Sequence, residues 1–170
     1  NPVAGRVRVK ALNIEGDRQA DLTLHGGASK AIYGYPVEHY EFWRREFPDV
    51  EFPSGSFGEN LTTEGLLEKE LNIGDRLCVG SVELMVTEPR LPCYKLNAKF
   101  SREDMVKRFL RSRRTGFYLS VAVEGDIGAG DVIEILHRHP AAVRIPELLG
   151  MYLKEGVAPD RRVVFAGIAC

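Results

Sequence analysis

The sequence has 170 residues, enough for one domain with a real core and a short appendage but too few for two full domains. Its 23 basic and 24 acidic residues leave a net charge of -1 without a block of like charges, which excludes a nucleic-acid polymer held by bulk electrostatics but not a local cationic pocket. No run approaches a transmembrane helix in length, and Asn1-Pro2-Val3-Ala4-Gly5 lacks the order of a signal peptide, so a cytoplasmic chain with no membrane association is expected.

The chain begins without Met, at what reads as the interior of a domain, so an initial strand is expected to have been processed or left out of the numbered sequence. From Arg6 to Asn13, Val7, Val9 and Ala11 alternate with basic residues, the period of a half-buried strand. After the His25-Gly26-Gly27 loop, Ala31 to Tyr35 is short and β-prone. Pro36 then opens a helical pattern in which Val37, Tyr40, Trp43 and Phe47 share a side, ending at Phe47. Arg76 to Val86 reads as a hairpin about Gly80-Ser81, feeding directly into a proline-rich loop around Cys93. Ser101-Arg102-Glu103-Asp104 resembles a capping box ahead of a helix carrying Met105, Val106, Phe109 and Leu110.

Strand character returns from Gly116 to Val123 and from Asp131 to Leu136. Past Pro140, Ile145, Leu148, Leu149, Tyr152 and Leu153 fall at helical spacing, and a second apolar stretch runs from Val163 to Ile168. Strands dominate with helices between and after them, so the expected class is mainly β with helices (α+β), a mixed β-barrel rather than a doubly wound parallel sheet. The expected division is a barrel domain over residues 1–139 and a small helical module over 140–170.

Three cysteines, Cys78, Cys93 and Cys170, are too few and too scattered for a disulfide framework or a structural zinc site, and they exclude a four-cysteine iron–sulfur cluster. Cys78 sits within a hairpin strand and reads as structural. Cys170 reads as incidental. The sequence also lacks a Gly-x-Ser-x-Gly elbow and a Gly-x-Gly-x-x-Gly turn after a strand, which argues against a serine hydrolase and a nicotinamide site. A thiol-hydrolase pair of Cys93 and His39 has no orienting signature. His39 reads as a packed or capping histidine beside Tyr33, Tyr35 and Tyr40.

Four stretches, in this order, carry a resemblance: His25-Gly26-Gly27-Ala28-Ser29-Lys30, Phe57-Gly58-Glu59-Asn60-Leu61-Thr62, Glu88-Pro89-Arg90-Leu91-Pro92-Cys93-Tyr94-Lys95-Leu96 and Arg114-Thr115-Gly116-Phe117. Together they resemble the MOSC domain, named for the C-terminal region of molybdenum-cofactor sulfurases, in its bacterial YiiM-like branch. The resemblance covers most of Gly5 to Leu136. The tail is similar to the three-helix module that follows the barrel in that branch, although it ends early, at Cys170.

Pro89 and Pro92 stiffen the Cys93 loop, and the nearby cations Arg90 and Lys95 favour the thiolate, the form that binds a metal or carries sulfur. The resemblance implies that Cys93 is the ligand of a molybdenum held by a pterin dithiolene, the molybdopterin form of the cofactor, or alternatively a persulfide carrier. The plain alternative is a buried, inert cysteine. Gly26 and Gly27 have no Cβ to block an anion, and Lys30 completes the charge match, with His25 opening the loop; the pterin phosphate is the implied guest, an ordinary tight turn the alternative. Phe57, Gly58, Glu59, Asn60 and Thr62 would present polar groups to the pterin or substrate, or else form only a loop and a strand start. Arg90 and Arg114 suit bidentate phosphate binding, against surface salt bridging, with Arg111 and Arg113 competing for the role of Arg114.

The resemblance thus implies an oxidoreductase that reduces N-hydroxylated compounds, such as N-hydroxylated purine bases, with electrons from a separate reductase because no electron-relay site is present in this chain. It also implies a homodimer. Two other classes stay open: a persulfide sulfur carrier using Cys93, and a non-catalytic cofactor-binding module with the tail as a partner surface.

Overall fold

The computed structural model describes residue 3, residues 5–16 and residues 27–154. The expectations placed on His25, Gly26, Val163 to Ile168 and Cys170 lie outside the described residues. Two sheets form. β1 (Arg6–Lys10) pairs antiparallel with β2 (Asn13–Ile14) and with β8 (Gly125–Gly128). The larger sheet runs β4 (Leu61–Thr63), β3 (Ile32–Pro36), β7 (Phe117–Val123), β6 (Val82–Pro89), β5 (Arg76–Val79), β9 (Ile133–His137). Its pairs are antiparallel except β3 with β4. With helices α1 (Glu38–Glu46), α2 (Tyr94–Phe100), α3 (Met105–Ser112) and α4 (Ile145–Lys154), the class is α+β, as expected. No described helix is long and apolar enough to cross a membrane.

Period-two alternation divides the interior into two cores. Along β3, Ile32 enters an aliphatic cluster with Leu77, Val79, Val82, Leu84, Val86, Phe117, Leu119 and Ile127, the interior of a half-barrel. Tyr33 and Tyr35 point to the other face, where they join Tyr40, Trp43, Phe57, Leu96, Met105 and Phe109. Helices α1, α2 and α3 therefore clamp an aromatic core onto the outer face of the sheet. Gly34 lets the strands close up, because a Cβ there would lie 2.6 Å from the Phe117 ring.

Local boundaries differ from the sequence reading at two informative points. Pro36 ends β3 instead of opening α1, because the chain still pairs with Thr63 there. The Ser101 capping box does not form: Ser101 adopts φ 51° and terminates α2, a helix the sequence reading did not foresee. Asn97 takes over the capping role, accepting the Val106 N–H at 2.7 Å and donating to the Glu103 carbonyl at 2.7 Å. That pair of bonds ties α2 to α3, and so fixes the helix that follows Cys93.

Candidate functional site

The site forms where β6 leaves the sheet. Register sets Glu88 opposite Tyr118 and Pro89 opposite Phe117, and the Arg90 N–H reaches the Gly116 carbonyl at 3.4 Å. The Arg90 side chain then turns onto the aromatic face, its guanidinium carbon 4.9 Å from the centre of Tyr33 and 5.3 Å from that of Phe109. No carboxylate pairs with it among the described residues, and Nη1 is buried without a hydrogen-bond partner. Burial works against its charge, yet Tyr33, Tyr118 and Cys93 beside it hold its pKa above the ordinary value. Burial pushes the Tyr118 phenol up, with Arg90 opposing.

Three residues on, Cys93 stands immediately before α2 in extended backbone, its carbonyl accepting from the Leu96 N–H at 3.0 Å. Its thiol is free and half-buried. Lys30 approaches the same corner from the 28–30 turn, 3.7 Å from a Glu88 carboxylate oxygen and 5.7 Å from the centre of the Tyr118 ring. Gly27, before that turn, adopts φ 106°, which an L side chain rarely tolerates. Lys30, Arg90 and Cys93 thus meet around Tyr118. Glu88, Tyr118 and Tyr33 complete the corner, and sequence reading did not assign them to it.

The 57–62 loop is ordered by one buried carboxylate. Glu59 accepts the Gly55 N–H at 2.9 Å and the Phe57 N–H at 3.0 Å, together with the Tyr40 hydroxyl. Thr62 Oγ1 lies 3.5 Å from the same carboxylate. Asn60 exchanges bonds with the Tyr33 backbone at 2.9 and 3.0 Å, locking the loop to β3. Phe57 is packed within the aromatic core, and Gly58 takes φ 84° at the turn. Lys99, on α2, donates to the Gly55 carbonyl at 3.0 Å; burial lowers its pKa, Glu59 opposes this and Arg90 adds to it. The carboxylate loop therefore buttresses the arginine corner through Lys99 and Tyr33.

Lys95 is exposed on the first turn of α2. Arg114 is directed elsewhere: its guanidinium carbon sits 4.1 Å from the Phe42 ring centre, and Nη1 donates to the Ser112 carbonyl at 3.1 Å. Arg114 also takes no part in the lining of the Cys93 corner described above.

The donor set at this corner is one soft thiol, one guanidinium with an orphaned Nη1 and one lysine. Among the described residues, no group of three or more His, Cys, Asp or Glu side chains gathers to hold a metal ion. A metal at Cys93 therefore suits these residues best if it arrives already chelated and bearing negative charge, with Arg90 Nη1 supplying a missing hydrogen bond. These features fit the anionic, dithiolene-chelated metal that the sequence resemblance suggests.

Comparison with known proteins gives a consistent picture. The family model described as the MOSC domain matches residues 21–134. The chain is 40% identical over 144 residues to the uncharacterized protein YflK of Bacillus subtilis strain 168, covering 85% of this chain and 65% of YflK. It is 38% identical over 137 residues to a protein named as a reductase in Gibberella moniliformis, covering 79% of this chain and 24% of that protein. The crystal structure of YiiM from Geobacillus stearothermophilus superposes with a TM-score of 0.79 at 32% identity, over 92% of this chain and 73% of that one. The chain thus spans just under two thirds of YflK and about a quarter of the reductase.

Proposed function

This chain belongs to the MOSC-domain family, in its YiiM-like branch, and from that premise we propose that it is a molybdenum-cofactor-binding oxidoreductase module that reduces N-hydroxylated compounds. The substrate class favoured is N-hydroxylated purine bases and related small molecules, with electrons delivered by a separate reductase. The reductase among its relatives supports the reaction type. The observation that carries the cofactor reading is the orphaned Arg90 Nη1 beside a free Cys93 thiol.

When bound, the cofactor supplies two-electron redox chemistry that converts an N-hydroxyl group to N–H and water. The chain's own residues hold and shield it. Cys93 offers the thiolate ligand, Arg90 and Lys30 oppose the negative charge, and Gly27, which has no Cβ, allows close approach of a phosphate. Tyr33 and Phe109 floor the arginine and exclude water from it, which strengthens its attraction for an anion. Phe57, Gly58, Glu59, Asn60 and Thr62 keep the adjoining wall rigid, and Lys95 stands as an outer cation.

Expression of wild type, Cys93→Ala and Cys78→Ser in a host that makes the cofactor tests this reading. Near-equal molybdenum and pterin per chain in wild type and Cys78→Ser, with loss of metal from Cys93→Ala, is the expected result. Absence of both from all three proteins overturns it. Cyanide-releasable sulfur on Cys93 in metal-free protein would transfer the assignment to a persulfide carrier.

A further inference from the structure

A second cleft opens on the far side of the aromatic core, between α1, the turn at Glu68–Glu70, the end of α3 and Pro146 of α4. Cys93, Arg90, Lys30 and Tyr118 take no part in its lining. Its volume is about 500 Å³, within the range of small-molecule sites. Arg114, which the sequence marked as a phosphate-binding candidate, lines this cleft and not the Cys93 corner.

The charges lining it are unevenly satisfied. Glu41 pairs with Arg45, and Glu38 accepts the Gly65 N–H at 2.6 Å. Glu68 is buried and fully engaged, with His39 Nε2 at 2.7 and 2.9 Å and the Gly116 N–H at 2.8 Å. The lining carries four cations, Arg45, Lys69, Arg113 and Arg114, against three carboxylates, Glu38, Glu41 and Glu68, an excess of one positive charge. Lys69 and Arg113 have no ion pair among the described residues, and the Arg114 guanidinium carbon, whose Nη1 bonds a carbonyl, lies 4.1 Å from the ring centre of half-buried Phe42. The cleft therefore combines an aromatic and guanidinium platform with one positive charge in excess and two cations, Lys69 and Arg113, outside any ion pair among the described residues. That is the complement of a planar ring carrying an anion.

We propose that this cleft is a binding site for a small aromatic anion, a ring bearing a phosphate or a carboxylate. The ring extends the stack formed by Arg114 and Phe42, while Lys69 and Arg113 meet the anionic group. The site also has a path to the Cys93 corner: Glu68 holds the Gly116 N–H, and the Gly116 carbonyl receives the Arg90 N–H at 3.4 Å.

Isothermal titration of the metal-free chain with adenosine 5′-monophosphate, adenosine, inorganic phosphate and benzoate tests the proposal without reference to molybdenum. At least one of the two aromatic anions should bind with a Kd at or below about 1 mM. Adenosine and inorganic phosphate should bind roughly tenfold more weakly or not at all, since each lacks half of the recognised chemistry. Preference for the monophosphate over benzoate assigns a phosphate, and the reverse a carboxylate. Lys69→Gln and Arg113→Asn should each weaken binding, and together by about tenfold or more, while Cys93→Ala binds as wild type. Both positions are exposed, and asparagine tolerates the left-handed backbone of Arg113 (φ 58°), so the variants should melt as wild type does. Absence of binding by both aromatic anions overturns the proposal. So does equal binding of adenosine, full affinity in the double variant, or loss of affinity in Cys93→Ala.

Discussion

The Arg90 guanidinium stacks 4.9 Å from the centre of Tyr33 while its Nη1, buried at the same spot, has no hydrogen-bond partner among the described residues. A buried cation left unmatched by any carboxylate costs stability, and a fold retains such a group where a ligand completes it. Arg90→Met keeps the length and apolar stem but removes the charge. The metal-free variant should therefore unfold in urea within about 1 kcal/mol of wild type, or later. In a cofactor-producing host the same variant should lose molybdenum and pterin by at least about tenfold, as expected when one partner of a buried charged contact is removed. A large loss of stability with normal cofactor content would make Arg90 a structural residue.

Glu59 makes the opposite case. Its carboxylate satisfies the Gly55 and Phe57 N–H groups and the Tyr40 hydroxyl in a buried loop, so the donors have no water to fall back on. Glu59→Ala should destabilise the chain by about 3 kcal/mol, read as a lower urea midpoint. Glu59→Gln fills the same volume but lacks the charge and turns a donor toward donors, and should recover only part of that loss. Full stability of Glu59→Ala would show that the loop does not depend on this carboxylate.

Much of this architecture was legible in the sequence, and the failures share a cause. The alternation along Ile32, Tyr33, Gly34 and Tyr35 announces a strand with two different faces, and Pro89 and Pro92 mark the Cys93 loop. Glu88, Tyr118 and Lys99 were not assigned to the corner because each arrives through tertiary register: Glu88 and Tyr118 meet as cross-strand partners 30 positions apart, and Lys99 returns along α2. Likewise α2 was missed because Ser101 and Asp104 carry the chemistry of a helix start. Its true end is written in the left-handed backbone of Ser101 and in Asn97, which bonds across to Val106. Arg114 shows the same limit, since only the fold brings it against Phe42 of α1.

Gly116 is the joint between the two clefts. It adopts φ 67°, and a Cβ there would lie 2.4 Å from the Gly34 carbonyl oxygen and 2.8 Å from the Tyr33 ring. Backbone cannot yield as a flexible side chain can, and the angle itself disfavours an L residue. Gly116→Ala should cost about 3 kcal/mol in urea unfolding. Because the same residue bonds both Glu68 and Arg90, amide exchange should quicken at Gly116 and at Arg90 together. Unchanged protection at both amides would show that the joint tolerates a side chain.

Glu88 gives the chain a pH dependence whose sign follows from its surroundings. Burial raises its pKa above the ordinary 4.5, and Lys30, 3.7 Å away, only partly opposes this. A carboxylate with a raised folded pKa favours the native state while protonated, so its contribution is fully present below about 4.5 and is lost as pH rises through the folded value. At neutral pH the charged side chain is therefore a net burden on the fold. Glu88→Gln removes that burden while keeping the shape, and should unfold at higher urea than wild type at pH 7, the difference shrinking to nothing as the pH falls below about 4.5. Urea melts of both proteins across that window measure it directly. A variant less stable than wild type at neutral pH would mean that the Lys30 contact outweighs desolvation at this corner, and that Glu88 is held charged.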